Sequence, residues 1–346
     1  MVNKLKISHF KILSSIIVPV LNGENYILNI LNDLKEQDEP GQVEYLIVDN
    51  GSTDHTVSLI KKFINSIPND HRFILYFEKR MGVSNARNLG IKKSHGKYII
   101  FVDADDRLKR TFVSSYVSKI ENDEADIEFF PFLKVCTLDS EEKNEIIHND
   151  INYAKLARRN FYSSEELLKL IFRFRLHGYP FAYISKRSLW KSNSFPAQIS
   201  FTEDLLAIAN LLVFNDVKAK INSQPYYFYV QRNNSVVHRV GWKEASEAER
   251  VAKIIITNVA RRFHNRRLTS LAQNLIYGQY YFQLELSIVA EDTIKFLYYR
   301  NLLFTNFILT SMPFKSRIAR FILLIFLIPR KMKIAEVYFI LRRQRY

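Results

Sequence analysis

The first 135 residues alternate short apolar, β-branched runs with longer stretches whose apolar positions recur at helical spacing. That alternation predicts a mostly parallel sheet with crossover helices. Strands are predicted over residues 15–20, 43–49, 73–78 and 98–102, with helices near 25–36, 54–65 and 84–94 between them. In a doubly wound sheet of this kind, ligands bind in the crevice outside the carboxyl ends of the strands. After Phe130 the alternation becomes irregular, and the aromatic segment 225–230 reads as a later strand. Beyond Trp242 the period is helical, over 244–263, 269–289 and 293–309. The expected organisation is therefore an α/β domain over 1–240 followed by a helical region over 241–346.

Composition narrows the class. A chain of 346 residues with 47% hydrophobic content can fill a large core. Nine Gly, nine Pro and no repeat of 20–50 residues disfavour disordered and solenoid readings. Cys136 stands alone, which leaves no internal disulfide framework or Cys-based zinc site and suits a reducing, cytoplasmic setting. Lys4, Lys6 and Lys11 before the apolar run 12–21 imitate a signal peptide. Ser14 and Ser15 interrupt that run, no small-residue cleavage pattern follows, and the run flows into the first strand, so it is assigned to the domain. With no apolar stretch of about 20 residues, no spanning helix is expected.

The formal charge is +15, and residues 251–346 hold sixteen Lys and Arg against four Asp and Glu. Segment 313–345 mixes apolar runs with Lys315, Arg317, Arg320, Arg330, Lys331, Lys333, Arg342, Arg343 and Arg345, the composition of a basic amphipathic helix pair. Such a pair suits an anionic lipid surface, here the inner face of the plasma membrane; a helical subdomain or dimer interface is the competing use. Charge alone would also permit nucleic acid binding. No nucleic-acid motif accompanies it, and the acids at the strand ends would repel a polyanion, so nucleic acid is set aside. Neither a dinucleotide fingerprint nor a P-loop is present.

The chemistry concentrates in those acids. The strand at 98–102 ends in Asp103, Asp105 and Asp106. Like charges this close raise one another's pKa unless a cation compensates them, and a hard divalent ion, Mn²⁺ or Mg²⁺, is the economical partner. The plainer alternative is a loop start capping the next helix. Asp49 ends an earlier strand, which brings a second carboxylate to the same rim. Behind it, Asn50-Gly51 forms a tight turn and Ser52, Thr53 or Asp54 can cap the following helix.

Four motifs in order, Ser15-Ile16-Ile17-Val18-Pro19-Val20-Leu21-Asn22, Val48-Asp49-Asn50-Gly51-Ser52-Thr53-Asp54, Gly82-Val83-Ser84-Asn85-Ala86-Arg87-Asn88-Leu89-Gly90 and Asp103-Ala104-Asp105-Asp106, resemble the family 2 inverting glycosyltransferases. The resemblance implies a GT-A fold, with a nucleotide half at about 13–110 and an acceptor half at about 111–240. It implies a nucleoside diphosphate sugar donor, often a UDP-sugar. Pro19 and Asp49 would line the base pocket and Arg87 would lie near the nucleotide. Asp103 and Asp105 would form the DxD element on ribose and metal, with Asp106 beside them. Asn50 departs from the commoner second Asp, which bears on base preference. Without the resemblance, Arg87 reads as a solvated surface residue.

The same resemblance makes Asp204 the catalytic base, supported by Glu203, at the head of the apolar helix 205–214. The alternative is complementation of the helix dipole with Thr202 as cap. Arg232 resembles the basic loop that closes on the diphosphate, while His238 reads as incidental. Tyr179, Phe181, Tyr183 and Trp190 are candidates for an acceptor face, with core packing expected for most of them. Lacking membrane spans and a Gln-x-x-Arg-Trp element, the chain is expected to transfer single sugars to a glycan or lipid-linked acceptor rather than polymerise. A non-catalytic sugar-nucleotide or polyanion-binding protein is the alternative, disfavoured by Asp49, Asp103, Asp105 and Asp204 occurring together.

Overall fold

Two strands with every residue buried, β1 (Ser14–Val20) and β2 (Val43–Asp49), form the axis of the molecule's main sheet. Strands covered on both faces read as largely apolar runs, here residues 16–20 of β1 and 45–48 of β2, which is why these were legible. The computed structural model describes residues 12–38, 43–136, 145–147, 151–231, 241–290 and 292–306. These fall into two units, one from residues 12–164 and 177–231, the other from 165–176 and 241–306.

In the first unit β1 and β2 are followed by α1 (Ile27–Lys35) and α2 (Thr56–Ser66) respectively, then by β3 (Phe73–Phe77), α3 (Val83–Lys93) and β4 (Tyr98–Phe101). Further along come β5 (Arg107–Leu108), α4 (Phe112–Asn122), β6 (Ile127–Phe129), β7 (Leu133–Cys136), β8 (Glu145–Ile147) and α5 (Tyr153–Leu156). After α6 (Ser164–Phe172), which clusters mainly with the second unit, the first resumes with β9 (Tyr183–Lys186), α7 (Glu203–Phe214), β10 (Ala219–Ile221) and β11 (Tyr227–Gln231). The seven-stranded sheet runs β10-β6-β9-β4-β1-β2-β3, and a four-stranded sheet runs β5-β11-β7-β8. Strands β3, β2, β1 and β4 are parallel, while β9 is antiparallel to both β4 and β6. This is the mostly parallel α/β architecture the pattern predicts.

Register places the acids. Val20 of β1 pairs with Asp49, and Ile17 pairs with Phe101. Asp49 and the acids after β4 therefore leave the sheet at one carboxyl edge, on strands that flank β1 and lie about 10 Å apart. Helix α3 packs close on β1 through Gly90, where a Cβ would stand 2.4 Å from Ile17 Cγ2.

The second unit contains α8 (Trp242–Phe263), α9 (Arg266–Val289) and α10 (Thr293–Asn306) with most of α6. Asn265 Nδ2 donates to Glu165 Oε1 at 2.9 Å and Asn274 Nδ2 to the Phe172 carbonyl at 3.2 Å, so α6 runs alongside α9. Among the described residues no helix is long and apolar enough to cross a membrane. Arg232, His238 and the basic segment 313–345 lie outside the described residues.

One carboxyl in the first unit's sheet is deeply buried. Glu128 of β6 is 0% exposed; Asn222 Nδ2 donates to its Oε1, while its Oε2 has no partner. Burial first, with Asp123 adding to it, pushes its pKa up to about 7. A raised carboxyl stabilises fully below its unfolded pKa of about 4.3, and that contribution is lost as pH rises toward 7. Glu128→Gln, which keeps the neutral shape, is therefore expected to raise stability at pH 8 by about 1–3 kcal/mol. The gain should shrink to near zero at pH 4.5, read from urea unfolding midpoints at both pH values.

Candidate functional site

The loops leaving β1 and β2 are laced together by side chains. Thr53 N donates to Asn22 Oδ1 at 2.8 Å, Asn22 N to Ser52 Oγ at 2.9 Å, Gly23 N to Thr56 Oγ1 at 2.7 Å and Glu24 N to Asp54 Oδ2 at 3.0 Å. Short polar side chains thus satisfy the amides of the neighbouring turn. Of the three candidate caps, Asp54 meets the start of α2, its Oδ1 accepting from Thr56 N at 3.0 Å, while Ser52 and Thr53 serve the neighbouring turn; α2 starts at Thr56, and His55 occupies its cap position without a side-chain bond.

Asp49, 3% exposed, accepts from Gly51 N at 3.1 Å and Ser52 N at 3.3 Å, closing a turn in which Gly51 has φ 89°. Pro19 is buried opposite Val48, one residue from the end of β1. Asn50 explains its own departure from Asp. Its Nδ2 donates to the carbonyls of Glu78 at 3.2 Å and Arg80 at 2.8 Å, while its Oδ1 accepts from Gly82 N at 2.8 Å. A carboxylate could make only the last of these.

The three acids after β4 have different fates. Asp103 keeps 28% of its side chain exposed and Asp105 is partly exposed. Asp106, expected as a third metal ligand, is 2% exposed and turned inward. Its Oδ2 accepts from Tyr227 Oη at 2.6 Å and its Oδ1 from Val230 N at 2.8 Å. Burial, then the charges of Asp103 and Asp105, drive its pKa well above the carboxylate range. Asp106 is thus an anchor for β11 and does not fit the expected third metal ligand, which leaves Asp103 and Asp105 as the open acids of this loop. Among the described residues no three His, Cys, Asp or Glu gather into a cage. Two open carboxylates still fit an ion that takes one or two carboxylates and leaves its other positions to phosphate and water.

Arg87 connects this edge to the acidic pair on α7. Only 6% of its side chain is exposed, which excludes the solvated-surface reading. Its Nη2 donates to Asp103 Oδ1 at 3.2 Å and its Nη1 to Glu203 Oε1 at 2.9 Å, and its guanidinium lies over the Phe195 ring at 5.1 Å. Next to it, Asn88 binds Phe195 in both directions, Nδ2 to the carbonyl at 2.8 Å and Oδ1 from N–H at 2.9 Å. Helix α3 therefore holds the segment that leads into α7.

Thr202 does not cap α7. It sits in the left-handed region at φ 61°, with its hydroxyl donating to the Phe201 carbonyl at 2.6 Å. Desolvation first, then Asp204, pushes Glu203 up to about 7 against the opposing pull of Arg87. Asp204, partly exposed, is also raised by desolvation, again opposed by Arg87. Paired acids with raised pKa values beside a buried cation are what acid–base chemistry requires.

Among the aromatic candidates, Phe181, Tyr183 and Trp190 are buried, and Trp190 stacks on Phe195 at 5.2 Å. Tyr179 is the exception, 39% exposed. Sequence reasoning missed Tyr227, Phe195 and the structural use of Asn88. Only Tyr227 left a signal, as part of the aromatic strand 225–230.

Arg87→Met is expected to destabilise the protein by about 3–5 kcal/mol at pH 8, the cost of leaving buried carboxylates without their cation. Glu203 protonates more readily still without Arg87, so the loss should be smaller at pH 5.5. Urea unfolding at the two pH values checks both the size and the sign.

Residues 15–188 match the family described as glycosyl transferase family 2. A stretch of 113 residues is 35% identical to glycosyltransferase GlyA of Streptococcus pneumoniae, covering 33% of this chain and 16% of that protein. Poly(ribitol-phosphate) β-N-acetylglucosaminyltransferase TarS of Staphylococcus aureus is 31% identical over 115 residues, 33% of this chain and 20% of that protein. The chain thus matches a fifth or less of the length of these relatives. Among solved structures, S. aureus TarS 1–349 in complex with UDP-GlcNAc superposes with a TM-score of 0.66 at 18% identity, over 86% of this chain and 82% of that one. The mannosyltransferase PcManGT from Pyrobaculum calidifontis, in complex with GDP-Man and Mn²⁺, gives 0.52 at 15% identity, over 94% and 84%. At these identities the likeness carries the fold, a GT-A sheet. With half its length matched by the family, this chain belongs to glycosyl transferase family 2.

Proposed function

We propose that this glycosyltransferase moves one sugar from a UDP-sugar to a hydroxyl of a glycan or lipid-linked acceptor, with inversion, in surface-glycan synthesis. The observation that carries the reading is the convergence on Arg87 of Asp103, from the sheet edge, and Glu203, beside Asp204 at the head of α7. Pro19 and Asp49 border the base, and Arg87 fixes the acids rather than meeting solvent. Asp103 and Asp105 would hold Mn²⁺ or Mg²⁺. When bound, such an ion stabilises charge on the departing diphosphate. Arg232, which follows β11 in the sequence, would add positive charge toward the diphosphate.

Asp204 takes the proton from the acceptor hydroxyl as that oxygen attacks the anomeric carbon opposite the leaving diphosphate, which inverts the centre. Its raised proton affinity suits a general base near neutral pH. Glu203, tied to Arg87, keeps α7 in register. The UDP preference is supported by the fold shared with TarS, solved with UDP-GlcNAc, and the metal by the neighbour solved with Mn²⁺. The basic segment 313–345 supports attachment at the inner face of the plasma membrane.

A screen of nucleotide sugars with Mn²⁺ and Mg²⁺ tests the reading, because a true donor at 100 Kd stabilises the fold by about 2.7 kcal/mol. Asp105→Ala is expected to abolish metal-dependent donor stabilisation; equal stabilisation in wild type and variant would remove the metal assignment. Asp204→Asn should retain donor binding and lose transfer by about 10²–10⁴-fold.

Membrane attachment has its own measurement. High salt combined with mild detergent should release the full chain from membranes, whereas full solubility at low salt with or without the tail would count against attachment.

A further inference from the structure

The acidic loop after β4 is held from behind by one phenol. Tyr227 opens β11, which pairs antiparallel with β5, Tyr227 opposite Leu108 and Phe228 opposite Arg107. Beyond that ladder Lys109 N donates to the Tyr226 carbonyl at 2.9 Å. The chain from Asp103 to Asp106 therefore runs between β4 and a strand fixed on β11, and both of its ends meet the same hydroxyl. Tyr227 Oη donates to Asp106 Oδ2 at 2.6 Å and accepts from Asp103 N at 3.1 Å. The residue is 0% exposed, its ring stacked on Phe181 at 4.4 Å and 3° and tilted against Phe112 at 5.9 Å. Packing explains an aromatic ring at this position. It does not explain the hydroxyl, which costs free energy to bury and which phenylalanine would omit.

That hydroxyl bears on how the loop divides its acids. Asp103 is tied at three points: its N–H donates to Tyr227, its carbonyl accepts from Asp106 N at 3.3 Å, and its Oδ1 accepts from Arg87 Nη2 at 3.2 Å. Asp106 is drawn inward between Tyr227 Oη and Val230 N. Ala104 is buried too, so the loop alternates, and Asp103 and Asp105 are the residues left partly exposed.

Resting on the assignment of Asp103 and Asp105 to a divalent ion, we propose that Tyr227 is the positioning residue for that pair. Its hydroxyl clasps the two ends of the loop and so holds both carboxylates ready for the ion, without touching the ion itself. Groups that orient ligands from behind commonly carry roughly 10–100-fold of a metal's affinity. Phenylalanine at this position keeps the ring and can make neither bond.

The test titrates Mn²⁺ into the full chain with UDP present and reads unbound Mn²⁺ by electron paramagnetic resonance. Tyr227→Phe is expected to weaken Mn²⁺ binding about tenfold or more. Phe73→Leu, a core truncation on β3 at the far edge of the sheet, controls for lost stability: its urea midpoint should fall while Mn²⁺ affinity stays within about threefold of wild type. Asp106→Ala opens the same clasp from its other side and should match Tyr227→Phe. Asp106→Asn can re-form the clasp with Nδ2 donating to Tyr227 Oη, and should stay within about threefold of wild type. The proposal is overturned if Tyr227→Phe binds Mn²⁺ as tightly as wild type or more tightly, or if Phe73→Leu loses as much. It is also overturned if Asp106→Asn loses as much as Asp106→Ala, which would make the Asp106 carboxylate a ligand. A wild type that binds no Mn²⁺ refutes the metal assignment and the clasp's role together, whereas wild-type binding that Tyr227→Phe leaves unchanged refutes the clasp alone.

Discussion

A guanidinium with 6% of its side chain exposed stays in a protein interior only where carboxylates face it. In this family 2 chain Arg87 meets that condition with acids from two distant parts of the sequence, Asp103 beyond β4 and Glu203 at the head of α7. A lysine could not substitute, because the planar fork reaches both acids at once while its face rests on Phe195. Buried ion pairs add little net stability, since desolvation offsets most of the attraction. What this one supplies is position: the sheet edge and the acidic helix are held to one geometry by a single side chain.

Around it, residues of one type are sorted by environment. Asp49 closes a turn, Asp103 shares the guanidinium, Asp105 stays partly open, and Asp106 is buried under Tyr227. The aromatic wall is sorted in the same way, since Phe181 and Tyr227 pack inside while Tyr179 emerges. Tyr227 joins the two sets, packing against Phe181 on its ring and bonding to the acidic loop through its hydroxyl.

Much of the sheet was legible because β1, β2 and β4 are built largely of apolar residues, and the long helices of the second unit because their period is sustained. Helix starts were less legible. Ser52, Thr53 and Asp54 are the residue types that cap helices, and here they bond across to Asn22 and Glu24, contacts that exist only once two strands are paired, with Asp54 alone also meeting α2 at Thr56 N. Asp106 could not be told from Asp105 in sequence, since adjacent acids differ only in which faces the core. Likewise nothing local marks Arg87 as buried; its partners lie far along the chain. Where α6 clusters was equally invisible, because its apolar face reads the same whichever unit it joins.

The lacing of the β1 and β2 loops has a consequence for how this rim can change. Each turn supplies the hydrogen-bond acceptors that the other turn's amides need, so neither is an independent module. A residue exchanged in one removes the partner of an amide in the other, and at Gly23, whose N–H is buried against Thr56 Oγ1, the cost is a buried donor without its acceptor. Drift in these two turns should therefore be correlated, and re-engineering either calls for transplanting both together as one composite rim.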